Sequence, residues 1–367
     1  MGSGTENQSE LDDSKGPVDG SEGLSTIPMD GSVQIVDIPK FLTKKRRLVT
    51  ILGAEPEPQV GGNIEPTEKK VRNAKYIGEL ITRTMTDAEI EKTLTLEINS
   101  MISEYGVLND FEVIFLYDHQ QISRNHSSAI YQSLSERKIS KNILLILRST
   151  GGEVEPAYLI SKMCNRFKGG NKFFICIPAE AKSAATLLSL GADELHMGGM
   201  SELGPIDPQI NDFPALAFSG TLEKITQLAN KYPNAADMLA KYLIGSELDV
   251  RALGHYDRIT ESATQYATLL LQAKATSTNG SVTDCESLAS HFTNHYKDHN
   301  FVIDIDEAQK LLGSDMVRAD TEVYSACHEI HKFLETVEQI MIFRLMNKRV
   351  VALGRNFHIY TVQDSHS

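Results

Sequence analysis

The sequence predicts an α/β fold in which parallel strands are joined by crossover helices. Short apolar runs alternate with helical stretches through the centre of the chain, and the segments that connect them are short. Consecutive strands joined through helices are parallel, with right-handed crossovers. We therefore expect a parallel β-sheet core, followed by a mostly helical C-terminal region and preceded by a disordered acidic N-terminus.

The chain begins with a segment that has almost nothing to bury. Residues 1–30 are rich in glycine, serine and acidic residues, and such a stretch cannot offset its ordering entropy. Residues 31–105 are predicted to form an N-terminal extension. A basic run at 44–47, between two short strands, is compatible with an address signal or an anion-binding patch, and such a run is more often a solvated turn. A helix is expected over 86–105, because Thr86 and Glu89 form a capping box.

Residues 106–215 carry the clearest alternation and are predicted to form the α/β core. Apolar runs typical of buried strands end at a diglycine, Gly151-Gly152, and just before Ser183. Strands are predicted over 111–117, 142–150, 173–178 and 194–198, with helices over 127–138 and 154–167 and a third beginning at Ser183.

The rest of the chain is predicted to be helical over 216–350, with a tail over 351–367. Long apolar stripes at helical spacing occupy 245–273 and 320–347. Between them, Asp306 is expected to cap a short helix that ends at Gly313.

Composition limits the class of protein. The 367 residues are 41% hydrophobic and 23% charged, an ordinary globular mixture with a net charge of −13, and such acidity argues against nucleic-acid binding. The four cysteines form no C-x-x-C pair, which favours a reducing compartment. No apolar run is long enough to span a membrane, and no secretory signal is recognisable, so we expect a cytoplasmic protein.

Two of the predicted strands place candidate functional residues at one edge of the sheet. Ligands of open parallel sheets bind beyond the carboxyl ends of the strands, where Gly151-Gly152 and Ser183 both fall. Backbone N–H groups aimed at a developing oxyanion contribute roughly 3–4 kcal/mol each, so the arrangement suits acyl transfer. The spacing alone also permits a structural interpretation, since serine is a favoured N-cap and Gly-Gly is common in turns.

The residues around these positions resemble a known fold. RSTGGEV (148–154) and AKSAATLLSLGADELHMGGMSELGPIDPQI (181–210) are similar to segments of the Clp/crotonase fold. The sequence is most similar to the serine dehydrogenase proteinase family, a branch of the Clp-like peptidases related to signal peptide peptidase A. Weaker similarity extends to ALGHYDR (252–258) and HNFVIDIDEAQKLLG (299–313), so that roughly 110–345 is covered.

The resemblance implies roles for individual residues. Ser183 stands at the nucleophile, and the N–H groups of Gly152 and Ala184 stand at the oxyanion hole. Asp207 falls at or near the position where Clp-type peptidases place a histidine, although it is also a plausible turn residue before a proline. A serine needs an adjacent base. The candidates for that base are His255 and Lys224, followed by Lys182, Lys231, Lys241, His119 and His196.

The predicted function is that of a serine peptidase that cleaves a peptide or protein substrate through an acyl-enzyme. The resemblance also implies a homo-oligomer, and we expect no cofactor. Two alternatives remain open at this point. The absent histidine suggests a catalytically inactive peptide-binding or scaffolding protein, and the shared fold suggests a crotonase-like acyl-CoA enzyme, which would need a basic site for the CoA phosphates.

A second group of histidines recurs at every fourth residue. His291, His295 and His299 would line one face of a helix, where adjacent members have the spacing of zinc ligands. The outer pair would be about 12 Å apart at 1.5 Å per residue and could not share an ion. Neither a nearby cysteine nor an HEXXH pattern accompanies them, so we expect no metal site.

Overall fold

The computed structural model describes residues 70–138, 140–210, 213–242, 250–277, 285–345 and 348–361. The predicted tail over 1–30, the two strands expected after it and the basic run at 44–47 lie outside these ranges. Within them, the helix expected over 86–105 is present as Asp87–Glu104. Its predicted capping box is confirmed: the Thr86 hydroxyl accepts from the Glu89 amide, and the Glu89 carboxylate accepts from the Thr86 amide.

The described chain contains strands of two to seven residues. The strands are β1 Phe111–Tyr117, β2 Asn142–Arg148, β3 Phe173–Cys176, β4 Glu180–Ala181, β5 Glu194–Met197, β6 Glu202–Leu203, β7 Gln209–Ile210, β8 Phe213–Pro214, β9 Val317–Ala319, β10 Lys348–Gly354 and β11 Asn356–Thr361.

Helices surround these strands. The α-helices are α1 Ala74–Leu80, α2 Asp87–Glu104, α3 Arg124–Ser135, α4 Val154–Phe167, α5 Ala184–Ser189, α6 Ala215–Lys231, α7 Ala236–Tyr242, α8 Val250–Ser277, α9 Cys285–Ser290, α10 Ile305–Leu312 and α11 Glu322–Leu345. Short 3₁₀ turns occupy Gly106–Asp110 and Pro233–Ala235, and a π-helical turn occupies His291–His295.

Within the described ranges, one large sheet has the strand order β11-β10-β1-β2-β3-β5-β9. The five strands from β1 to β9 pair in parallel, which confirms the predicted α/β class and the parallel core. The pair β10–β11 is an antiparallel hairpin that joins the edge of the sheet beside β1. The region 351–367 was predicted to be a tail, but most of this hairpin lies there because β1 offers it an unpaired edge.

Both faces of the sheet are covered. Side chains alternate along β1, so that Ile114 and Leu116 pack with α3, α4, α5 and α8, whereas Phe115 and Tyr117 pack with α1, α2 and α11. Strands buried on both faces read as continuous apolar runs, which is why they are recognisable in the sequence. No helix in the described part of the chain is both long enough and apolar enough to span a membrane.

Two further details bear on the predictions. The short C-terminal helix is Ile305–Leu312, and its N-cap is Asp304, whose carboxylate accepts from the Glu307 amide at 2.9 Å, rather than the expected Asp306. The helix ends at Gly313, as predicted. All four cysteines are buried free thiols.

Candidate active site

Ser183 occupies a strained turn between β4 and α5. Its backbone has φ 51° and ψ −117°, a region that residues with a side chain seldom adopt, and such strain is concentrated at functional sites. Ser183 stands at the N-cap of α5, but its hydroxyl makes no capping hydrogen bond. The side chain is therefore not used to cap the helix, and its hydroxyl is left for other chemistry.

The diglycine lies directly against this serine. Gly151 has φ 110°, and a Cβ built on it would lie 2.7 Å from Ser183 Cβ and 3.3 Å from the Ala184 nitrogen. Gly152 has φ 147°, and a Cβ there would overlap the backbone of Ile122. Neither position has room for a side chain, so the sequence needs glycine at both for the two backbone segments to approach each other.

Backbone hydrogen bonds hold the diglycine bend beside Ser183. The Ser149 amide donates to the Glu180 carbonyl and the Lys182 amide donates to the Ser149 carbonyl, each at 3.0 Å. On the other side of the bend, the Ile122 amide donates to the Gly151 carbonyl at 2.7 Å. The end of β2 is thus fixed between the segment that precedes Ser183 and the loop that follows β1.

The amides around the serine differ in how they are used. The Gly151 N–H donates to the Ser149 hydroxyl at 3.1 Å. Among the described residues, we find no acceptor in the protein for the Gly152 and Ala184 N–H groups. Two backbone donors therefore remain for a bound molecule next to the Ser183 side chain.

A cavity of about 500 Å³ opens beside the serine. One wall is the diglycine bend with the first residues of α4, and another is formed by Ile206 and Pro208. The α8 residues Arg258, Ile259 and Ser262 also line it, together with Gln121 and His299. The cavity therefore combines apolar residues with the serine, a histidine, an arginine and two glutamates.

His299 meets Asp207 at this cavity. Its Nδ1 atom lies 3.8 Å from Oδ2 of Asp207, which is buried, while the histidine side chain is 25% exposed. An antiparallel bridge between Leu203 and Ile303 brings the two segments together, with hydrogen bonds of 2.9 and 3.0 Å. The fourfold spacing predicts that His299 shares a helical face with His291 and His295; this prediction is wrong, because the π-helical turn ends at His295.

The other histidines of that face point to no metal site. The rings of His291 and His295 stack with centroids 4.1 Å apart. Among the residues that the structure describes, no cluster of three or more histidine, cysteine or carboxylate side chains could hold a metal ion.

Among the other proposed bases, none whose side chain the structure describes lines the serine cavity. Lys182 pairs with Glu202 at 2.6 Å, and Lys224 is exposed on α6, so neither lines the cavity. The backbone of His255 is in α8, but its side chain lies outside what the structure describes. The remaining candidates are engaged or remote: His119 with Glu338 and Arg148, His196 with Thr321, Lys231 with Tyr232 and Lys241 with Asp237.

His299 is the functional candidate that the sequence analysis missed. A signal existed, because His299 is the first residue of the stretch HNFVIDIDEAQKLLG, which resembles the peptidase family. The regular spacing of the three histidines predicts a helix instead. Only the bridge between β6 and the segment before α10 shows that this histidine reaches the serine cavity.

The chain is similar to several known proteins. Two uncharacterised proteins of Methanocaldococcus jannaschii are each 30% identical to the chain, over 103 and 127 residues, or 28% and 35% of its length. These matches span only 35% and 42% of the relatives themselves, less than half of their length.

Solved structures similar to this one include the membrane-bound stomatin-specific protease 1510-N and ClpP1 of Listeria monocytogenes. The first is 15% identical with a TM-score of 0.35, over 61% of this chain and 83% of that one. The second is 14% identical with a TM-score of 0.35, over 63% of this chain and 99% of that one.

A sequence profile extends over most of the chain. The profile of the ClpP-like SDH-type serine proteinases matches residues 73–346, a range that includes the diglycine, Ser183, Asp207 and His299. The family predicted from the motifs is confirmed. The protein belongs to the family of ClpP-like SDH-type serine proteinases.

Proposed function

We propose that the protein hydrolyses peptide bonds through an acyl-enzyme on Ser183, with His299 as the general base and Asp207 as the group that orients it. The observation that carries this proposal is the cavity at which the strained serine, the diglycine bend and the His299–Asp207 pair meet. The order Ser183, Asp207, His299 along the chain is one of several that place these three side chains in a working triad.

The positions of the atoms support this division of roles. Nδ1 is the ring nitrogen of His299 that faces Asp207, so Nε2 is the nitrogen left to accept the Ser183 proton. A separation of 3.8 Å is longer than a hydrogen bond, and catalytic contacts of this kind often shorten when substrate binds. The buried carboxylate would stabilise the imidazolium that forms.

In the first step, Ser183 Oγ forms a bond to the substrate carbonyl carbon while its proton passes to His299. The carbonyl oxygen becomes an oxyanion that the Gly152 and Ala184 N–H groups would bind. His299 then gives the proton to the leaving amine as the C–N bond breaks, which leaves an ester on Ser183. Water hydrolyses this ester, with His299 again taking a proton and returning it to the serine.

The hydrogen bonds of Ile122 with Gly151 and Glu153 determine the direction in which the Gly152 N–H points. Ile122 accepts from the Glu153 amide at 2.8 Å and donates to the Gly151 carbonyl, so that it pairs with the groups on either side of Gly152. In a parallel bridge of this kind, the N–H and C=O of the central residue point away from the pairing partner. The Gly152 N–H is thus directed away from the β1 loop, which supports its assignment to the oxyanion hole.

The two alternatives are less well supported. A non-catalytic scaffold was suggested by the histidine missing from the segment around Asp207, yet His299 lies on the serine cavity from another part of the chain. The cavity lining includes one basic residue, Arg258, alongside Glu153 and Glu155, which does not favour binding of CoA phosphates. The homo-oligomer, the cytoplasmic location and the peptide substrate stay predictions.

Covalent labelling with a fluorophosphonate tests the proposal. The reagent phosphonylates an activated serine as fluoride leaves, so the wild-type protein should acquire one label per chain on the peptide that contains Ser183. Ser183→Ala should not be labelled, whereas Ser262→Ala, which alters another serine of the same cavity, should be labelled like the wild type. Absence of labelling in the wild type, or equal labelling of Ser183→Ala, would contradict the proposed mechanism.

A further inference from the structure

A buried carboxylate–imidazole pair lies behind the diglycine bend, outside the cavity. Nε2 of His126 is 3.0 Å from Oδ2 of Asp118, and both residues are only 4% exposed. Asp118 directly follows β1, and His126 is in the first turn of α3. The pair therefore joins the two ends of the loop 118–123, which connects this strand to this helix.

The hydrogen bonds of His126 fix which nitrogen carries the proton. The backbone N–H of Ser123 donates to Nδ1 at 3.1 Å, so this nitrogen must be the unprotonated acceptor. The proton is then on Nε2 and is donated to Asp118. Asp118 also accepts the Gln120 amide at 2.9 Å. Burial alone would raise the pKa of Asp118, but the hydrogen bonds from His126 and Gln120 outweigh it and lower that pKa.

This loop makes the contacts that hold Gly152. Ile122, whose side chain is fully buried, donates to the Gly151 carbonyl and accepts from the Glu153 amide. The amide of the next residue, Ser123, is the one held by His126. A shift of the loop would therefore move the two hydrogen bonds that set the direction of the Gly152 N–H.

The same group contains a serine, a histidine and an aspartate, but it is not a second catalytic site. The Ser123 hydroxyl is 3.0 Å from Nδ1 of His126, and the imidazole is enclosed by the protein. None of the three lines the serine cavity. The role that their position permits is support of the backbone rather than contact with a substrate.

We propose that Asp118 and His126 are positioning residues, which hold the loop 118–123 so that Ile122 keeps the Gly152 amide directed at the oxyanion. This inference rests on the proposed function of Ser183. It predicts that breaking the pair slows the chemical step while the serine and its base remain in place. The effect would thus be on the rate of reaction at each site and not on the number of sites.

The test compares the rate and the final extent of fluorophosphonate labelling. Asp118→Asn leaves one acceptor oxygen where the carboxylate has two, so that the side chain can no longer accept both from Nε2 of His126 and from the Gln120 amide. We expect a rate constant at least about tenfold lower, with the final extent still one label per chain. His126→Asn should give the same result, because an amide oxygen can still accept from Ser123 but no donor reaches Asp118. Asp110→Asn, an exposed change before β1, should label at the wild-type rate.

The outcomes separate the inference from the proposed function. If the wild type is labelled at Ser183 and both variants react at its rate, the positioning role is wrong and the proposed function stands. If the wild type is not labelled, the proposed function itself fails. A variant whose final extent falls while its rate constant stays that of the wild type has lost folded protein without any change in the reactivity of the folded sites, and this also contradicts a positioning role. Should neither variant fold, hydrogen exchange of the wild type decides: slow exchange over 118–123 supports the held loop, and exchange within seconds overturns it.

Discussion

Nδ1 of His299 lies 3.8 Å from Oδ2 of Asp207, at the cavity that Ser183 also lines. The two residues belong to distant parts of the chain, and a bridge between Leu203 and Ile303 brings them together. In the proposed mechanism, His299 would be the base that the motif around Asp207 lacks. Asp207 would then orient the imidazole instead of accepting the serine proton itself.

Removal of the proposed base should abolish most of the activity. We predict that His299→Ala lowers the rate of Ser183 labelling by roughly 10²- to 10⁴-fold, the usual contribution of a general base. His295→Ala is the matched control, since it removes an exposed histidine of the preceding turn. The rates are measured with a fluorophosphonate in excess. Similar rates for the two variants would show that the base is another residue.

Asp207→Asn should impair catalysis without removing the histidine. An amide at this buried position cannot stabilise an imidazolium and favours the wrong tautomer, so we predict a loss of about 10²- to 10⁴-fold in kcat with little change in KM. Asp306→Asn, an exposed change in α10, should leave both constants as in the wild type. Steady-state hydrolysis of a fluorogenic peptide measures kcat and KM separately. A change confined to KM would assign Asp207 to substrate binding.

A side chain at Gly152 should be poorly tolerated. A Cβ there overlaps the backbone of Ile122, and φ 147° is strained for any other residue, so we predict that Gly152→Ala destabilises the protein by about 1–3 kcal/mol. Folded Gly152→Ala should also react slowly, because the bend must shift. Gly170→Ala places its methyl group in open space and should change neither property. Urea denaturation and labelling rates measure the two effects, and a fully active, equally stable Gly152→Ala would contradict the described bend.

Buried histidines predict how stability depends on pH. Burial is the main cause that lowers the pKa of His196 and of His331 to about 4 each, below the ordinary value of 6.5. Between pH 6.5 and pH 4 the unfolded chain therefore binds more protons than the folded one. The free energy of unfolding should decrease as the pH falls through this range, by at most about 1.4 kcal/mol per pH unit for each histidine.

A substitution isolates one of these histidines. His331→Phe keeps an aromatic ring beside Tyr117, 5.8 Å away, but cannot take up a proton. In this variant, the free energy of unfolding should decrease less between pH 6.5 and pH 4, by the contribution of one histidine. Urea denaturation at several pH values measures this decrease. His358→Gln alters an exposed histidine and should leave the slope unchanged. An unaltered slope in His331→Phe would show that folding does not lower the pKa of its imidazole.

Local sequence was sufficient to predict the strands of the core and to single out the turn at Ser183. The strands β1, β2, β3 and β5 are largely apolar because both faces of the sheet are buried, and helix α4 has the predicted bounds, Val154–Phe167. The turn at Ser183 and the diglycine are also local features, because each depends on the conformation of a few consecutive residues. These parts of the fold and of the candidate site were therefore accessible from patterns within the sequence.

The remaining parts depend on contacts between distant residues. The short strand β9 and the hairpin β10–β11 acquire their structure by pairing with β5 and β1, which no local pattern specifies. His299 is similar, because its distance from Asp207 is set by one bridge between short segments. The Asp118–His126 pair likewise becomes visible only when β1 and α3 are placed together.

The central claim is that Ser183 forms a covalent acyl intermediate, and mass spectrometry after mixing with a p-nitrophenyl ester tests it most directly. The account predicts that protein quenched within one turnover carries one acyl group on the peptide that contains Ser183, in the wild type and in Ser262→Ala. Ser183→Ala should carry none and should hydrolyse no peptide. An acyl group on a different residue, or peptide hydrolysis by Ser183→Ala at the wild-type rate, would contradict the account.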